Sequence, residues 1–248
     1  MSGAELAAKA FLLLLGPFAG DYVATFATSW PRRPTPLVGQ SRCGRCGAPI
    51  AAASAVPLVS WLLKRGRRTC CGGRIPVVYP IGEAAGLAGG FAAAAAAAQP
   101  LVGGWIFAVA LTLTYVALVD LRRFSIPVWG LVALAVEAAL AVAAEPTIEA
   151  RLSRLATGGV LALAFETLRR LVRRGGRPGL GAGDVMLAGL LGVLVNWRLA
   201  APMVAVAALA PLAIQSIRRT LGPVPFGFWL SLATGLCLAF AESNLSPK

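Results

Sequence analysis

The chain has 248 residues, 58% hydrophobic and only 13% charged, with 23 Lys and Arg against 10 Asp and Glu and no histidine. Soluble domains run to about 45–50% apolar and about 25% charged residues, so the composition excludes an ordinary soluble domain and points to the membrane. The absence of histidine excludes every mechanism that needs an imidazole.

The apolar runs are long and recurrent, so one cleaved signal peptide does not account for them. Eight stretches are near the length of a spanning helix: roughly 8–29, 77–97, 103–120, 127–144, 155–171, 184–198, 200–217 and 224–241. The predicted fold is an all-α, polytopic transmembrane helical bundle, because spanning segments must satisfy their own backbone. Residues 1–29 read as a retained first span. Residues 30–76 form a hydrophilic loop with four of the five cysteines, and residues 77–248 the membrane core. Cys237, in the last apolar run, reads as a small packing residue. The alanine run from Ala92 to Ala98 suits close contact between helices.

The cations lie between the apolar segments, which reads as membrane topology rather than nucleic-acid binding. With the 30–76 loop on the inside, eighteen Lys and Arg fall on the cytoplasmic side and five on the other. Both termini are then expected outside. On that topology Asp120 and Asp184 both stand at cytoplasmic ends of helices. The loop cations, from Arg32 to Arg74, are expected to meet anionic lipid headgroups.

Asp120 ends the run TLTYVALVD, before the stop signal Arg122-Arg123 and before Pro127, which suits the first turn of the next helix. Asp184 follows the glycine-rich linker RRGGRPGLGAG, in which Gly181 and Gly183 permit unusual backbone and close approach. Each carboxylate has a local reading: Asp184 as a helix N-cap, Asp120 as an interfacial charge. As a pair on one membrane face they also suit acid–base chemistry. Two close carboxylates share a proton, so one serves as base and the other as acid. Asp21 and Glu137 are further acids within apolar runs, and Glu166 has Arg169 and Arg170 at salt-bridge spacing.

In the loop, Cys43 and Cys46 form a C-x-x-C pair, and Cys70 and Cys71 are adjacent. A loop this small cannot build its own apolar core, so it needs a metal or the membrane to hold it. Zinc on these cysteines is the expected staple, and a reduced, metal-free loop the alternative. Disulfides are not expected in a cytoplasmic loop.

Taken in order, LLGPFAG, SRCGRCGAPI, VPLVSWLLKRGR, YPIGE, VDLRRFSIP, GLGAGDVML and PVPFGFWLSLATG resemble the bacterial type IV prepilin peptidases, intramembrane aspartyl proteases of the GxGD class. The resemblance covers nearly the whole chain. It implies that Asp120 and Asp184 are catalytic, and that the substrates are prepilins or pseudopilins whose short basic leader is cut on the cytoplasmic side. It implies an inner-membrane location. It also implies methylation of the new N-terminus by S-adenosylmethionine in many members, here involving the cysteine loop and Glu83. It places the Phe226–Trp229 group near the active site, although packing at the membrane interface is the simpler reading of those residues. Two positions depart from the family pattern: Met186 stands where lysine is usual, and Arg68 stands at the third cysteine, so that Cys70 is the candidate replacement. Two other classes compete: an ion-coupled transporter using Asp120 and Asp184 as relays, and a catalytically altered assembly protein of the same fold.

Overall fold

The computed structural model describes residues 3–29, 42–51, 56–96, 99–174, 180–218 and 224–245. Part of the cysteine loop, the middle of the glycine-rich linker and the cations Arg32, Arg33, Arg177, Arg219 and Lys248 lie outside the described residues. The regular structure among the described residues is helical, with no strand among them. The helices are α1 (Gly3–Ser29), α2 (Val59–Leu63), α3 (Val78–Ala95), α4 (Pro100–Arg123), α5 (Val128–Ala144), α6 (Ile148–Arg174), α7 (Ala182–Arg218) and α8 (Phe226–Leu245). Three helical stretches are long and apolar enough to cross a bilayer: Glu5–Ser29, Pro100–Arg123 and Trp197–Ile214. Val128–Ala144, Ala182–Val195 and Phe226–Leu238 are shorter apolar helices. Large apolar side chains such as Leu14, Trp129 and Leu163 are exposed, as on a surface that meets lipid.

The chain divides into two compact units, residues 1–118 and 119–248, with the boundary inside α4. In the first unit α1 packs on α3 through glycines. A Cβ on Gly16 would run into the carbonyl group of Gly86, one on Gly20 into Gly82, and one on Gly90 into Leu12. Membrane helices gain little from burying apolar surface against each other, so close backbone approach supplies the attraction, and only glycine allows it. Phe26 of α1 adds an edge-on ring contact with Tyr115 of α4 at 6.1 Å.

In the second unit α7 packs against α5, α6 and α8. Gly158 of α6 faces Gly189 and Gly192 of α7, again with no room for a Cβ. At 37 residues α7 is about 55 Å along its path, longer than the roughly 30 Å hydrocarbon core. It joins the sixth and seventh predicted spans in one helical run, with Pro202 and Pro211 inside it. The join is marked chemically. Arg154, paired with Glu145 at 2.6 Å, donates to the carbonyls of Val193 at 3.0 Å and Leu194 at 2.9 Å. Side chains satisfy carbonyls this way where a helix ends. Against α8, Leu199 meets Cys237 and Met203, four residues on, meets Thr234, three residues back, so this stretch of α7 runs antiparallel to α8. Pro202 removes a backbone donor here, which favours a bend. The predicted pair Glu166–Arg169 and Glu166–Arg170 forms, at 2.6 Å and 2.7 Å.

Gly86→Ala is expected to destabilise the protein by about 1–3 kcal/mol, through overpacking against α1. Gly104→Ala, where an added Cβ meets nothing within 4 Å, is expected to leave stability unchanged or slightly raised. Thermal unfolding of the two variants in detergent would test this. Equal melting temperatures would contradict the packing account.

Candidate functional site

Asp120 lies in the last turn of α4 and is 4% exposed. A carboxylate buried this deeply needs donors. It finds them 108 residues further along the chain: the Phe228 N–H donates to its Oδ2 at 3.0 Å. Phe228 is the third residue of α8, so its N–H has no partner within the helix. The positive end of the α8 dipole adds to the attraction. Gly227 makes this approach feasible, since a Cβ there would sit 3.2 Å from Asp120 Cγ and Oδ2.

Asp184 lies in the first turn of α7 and is half-buried. It is not the N-cap. The helix begins at Ala182, two residues earlier than the predicted start, which makes Asp184 the third helical residue. Its Oδ2 accepts from the Gly181 N–H at 2.8 Å. This is the backward half of a capping box, in which the third residue serves the orphan amide at the cap. The local reading of Asp184 is therefore correct in kind and displaced by one turn.

Asp184 stands near enough to Asp120 for their charges to interact. The two residues come from separate helices, and each carboxylate accepts from backbone N–H at a helix N-terminus. Between the two helix starts lies Ile126, from the link between α4 and α5. Its Cβ and Cγ1 would be 3.0 and 3.1 Å from a Cβ on Gly183, and its Cδ1 would collide with a Cβ on Gly227. Phe124, which closes α4, has a left-handed φ of 51°. That conformation is costly for a residue with a Cβ, and it turns the chain sharply toward Ile126 and Pro127. Gly227 and Phe228 lie beside Asp120, where the resemblance places the Phe226–Trp229 group, and interfacial packing alone does not describe them. Ile126 is the contribution that sequence reasoning missed. Met186 is 59% exposed.

The four loop cysteines come together, with all four sulfurs within 4.8 Å of one another. Cys43 and Cys71 are 3.9 Å apart, and Cys46 and Cys70 are 3.4 Å apart. The edges of a tetrahedral zinc–thiolate site are about 3.8 Å, from Zn–S bonds of about 2.3 Å. The donor set and spacing therefore fit a metal ion.

The cluster is built from two similar turns. In the first, the Cys43 N–H donates to Ala48 O and the Gly47 N–H to Cys43 O, both at 2.8 Å. In the second, the Arg68 N–H donates to Gly73 O and the Gly72 N–H to Arg68 O, at 2.8 and 2.9 Å. Gly47 and Gly72 both take the left-handed φ that each turn requires, at 72° and 64°. Arg68 thus occupies in the second turn the place Cys43 holds in the first, and Cys70 supplies the fourth sulfur from inside the turn. Arg68 Nη1 instead donates to Cys43 Sγ at 3.0 Å. Backbone N–H groups of Cys46 and Arg45, and then this guanidinium, hold the Cys43 thiol down at about 5. Contact with Cys46 and then Cys43 pushes the Cys70 thiol up to about 12.

Glu83 belongs to the first unit and is 8% exposed. Its Oε2 accepts from the Leu58 N–H at 2.6 Å, which ties the loop to α3. Asp21 of α1 is near enough for its charge to act on Glu83.

The chain matches the family described as Bacterial Peptidase A24 N-terminal domain over residues 14–97 and the Type IV leader peptidase family over residues 107–216. It is 31% identical to the prepilin leader peptidase/N-methyltransferase of Dickeya chrysanthemi, across 90% of this chain and 79% of the relative. It is 28% identical to the protein of the same description from Aeromonas salmonicida (strain A449), across 94% of this chain and 84% of the relative. A Myxococcus xanthus (strain DK1622) protein so described is 29% identical, across 76% of this chain and 56% of the relative. No solved structure matches the chain. With this coverage and identity, the chain belongs to the type IV leader peptidase family.

Proposed function

We propose that this chain is an intramembrane aspartyl endopeptidase that removes the basic leader of prepilin-like or pseudopilin-like substrates, with Asp120 and Asp184 as its catalytic residues. The observation that carries the reading is that these two acids, 64 positions apart in the sequence, lie within reach of each other's charge, Asp120 at the end of α4 against the first turn of α8 and Asp184 in the first turn of α7. Two such groups hold one proton between them, because a second negative charge at short range is expensive. The ionised carboxylate takes a proton from water as it attacks the scissile carbonyl. The protonated one donates to the carbonyl oxygen, and the proton then passes to the leaving amine. Gly181 and Gly183 support Asp184, the first through its N–H and the second by leaving room for Ile126.

The family description supports prepilin substrates and a multi-pass inner-membrane location. The excess of cations on one side supports an arrangement with both termini outside and the site facing the cytoplasm. The substrate's basic leader then stays in the cytosol while its apolar helix lies in the bilayer. The loop cations contact anionic lipid. On this reading residues 77–248 are the protease core and 30–76 a separate stapled loop, with no role in nucleic-acid binding.

Cys43, Cys46, Cys70 and Cys71 would hold zinc, which would supply a structural crosslink and no catalytic step. Methyl transfer from S-adenosylmethionine is supported by the names of the relatives. Glu83, the residue expected to serve it, has one oxygen committed to the Leu58 amide. That contact supports a structural tether, and a methyl-transfer step does not follow from it. An ion carrier or an inactive assembly protein has no comparable support, since the matched family and relatives are peptidases.

Asp120→Asn and Asp184→Asn are each expected to slow leader removal by about 10²–10⁴-fold, the usual worth of a positioned acid or base. Co-expression with a prepilin, followed by mobility shift of the processed form, would show it. Normal processing by both variants would end the protease assignment.

Purified protein is expected to carry about one zinc per chain, the load of a single four-cysteine site. Cys71→Ser should lower that content and the melting temperature together. A folded wild-type sample with metal content near zero would contradict the zinc reading.

A further inference from the structure

Ile126 is held from both ends. Phe124 turns the chain in a left-handed conformation at φ 51°, and Pro127 restricts Ile126 to extended backbone before α5 begins. Its side chain reaches two backbones that lack a Cβ. One is Gly183, the neighbour of Asp184. The other is Gly227, the neighbour of the Phe228 N–H that holds Asp120. A methyl group on either glycine would displace this one side chain or the carboxylate beside it.

We propose that Ile126 and Gly227 are positioning residues: the isoleucine is a spacer between the starts of α7 and α8, and its fit against Gly227 sets the separation of the Asp120 and Asp184 carboxylates. This rests on the reading of those two acids as the catalytic pair. The spacer touches neither the reacting water nor the scissile bond. It acts by fixing both helix starts relative to α4, so a methyl group added at Gly227 has to displace it or Asp120. Ile126 Cδ1 is the atom that a Cβ on Gly227 would strike, and valine lacks that atom.

This predicts a rescue. Gly227→Ala improves intrinsic helix propensity, so loss of activity would not come from a weaker α8. Its Cβ is expected to push Ile126 or Asp120 out of place and to lower kcat about 10²-fold, the scale of a misplacement of about 1 Å, with KM little changed. Ile126→Val alone is expected to stay within about tenfold of wild type, and Gly227→Ala/Ile126→Val to return to within about tenfold as well, because contacting positions couple. Ile126→Ala, which removes the spacer, is expected to shift the limbs of the pH–rate profile, since proton sharing depends on the separation. A purely structural role would leave that profile unmoved.

The assay is leader cleavage of a purified prepilin by the intact protein in detergent, alongside thermal melting of every variant and the Asp120→Asn and Asp184→Asn controls. Rescue in the double variant at unchanged melting temperature supports the spacer. Loss in Gly227→Ala without rescue, in proteins that melt normally, overturns it while the carboxylate pair stands. Full activity in Gly227→Ala overturns it too. Cleavage that survives in both Asp→Asn controls instead removes the reading on which it rests.

Discussion

A carboxylate buried among apolar helices has to be given donors, and in this protein Asp120 takes them from the first turn of α8. That single contact joins sequence segments 108 residues apart. It orients the end of α4, fixes the start of α8, and explains why Gly227 has no side chain. Asp184 follows the same logic at shorter range, with the Gly181 amide as its donor. Each acid is held on a helix N-terminus, where unpaired N–H groups and the helix dipole favour negative charge. A site of this kind needs neither histidine nor a nucleophilic hydroxyl, which agrees with a chain that contains no histidine.

Elsewhere the structure repeats a second device, which is backbone-to-backbone approach at glycine. Gly16, Gly20, Gly82 and Gly86 seat α1 on α3, and Gly158, Gly189 and Gly192 seat α6 on α7. In lipid these contacts replace the hydrophobic drive that packs soluble helices. The cysteine loop needs different support, because it is too short to bury an apolar core of its own. Its two turns bring four sulfurs together, and Glu83 anchors Leu58 to α3.

Much of this was legible in the sequence, for physical reasons that can be named. Charges that interrupt apolar runs are expensive, so Asp120 and Asp184 stand out, while Glu83 enters only through the resemblance of its YPIGE segment. Cys43 and Cys46 have metal-ligand spacing, and Cys70 joins them as expected of a replacement for the position held by Arg68. What the sequence concealed is tertiary. No local pattern says that the FGFW segment turns its amides toward Asp120, or that Ile126 fills the space between two glycines. α7 starts two residues before Asp184, whose carboxylate serves the cap from the third helical position. The join of two expected spans within α7 is also tertiary in origin, since the Val193 and Leu194 carbonyls there are met by Arg154, some forty positions earlier on another helix.

The most direct test of the account is an experimental structure of the protein bound to a prepilin-leader peptide whose scissile bond is replaced by a hydroxyl-bearing isostere. The account predicts that the hydroxyl is hydrogen-bonded by both Asp120 and Asp184, with the Phe228 amide still on Asp120 and the Gly181 amide still on Asp184. An isostere seated elsewhere, or carboxylates facing separate cavities on either side of it, would contradict the account.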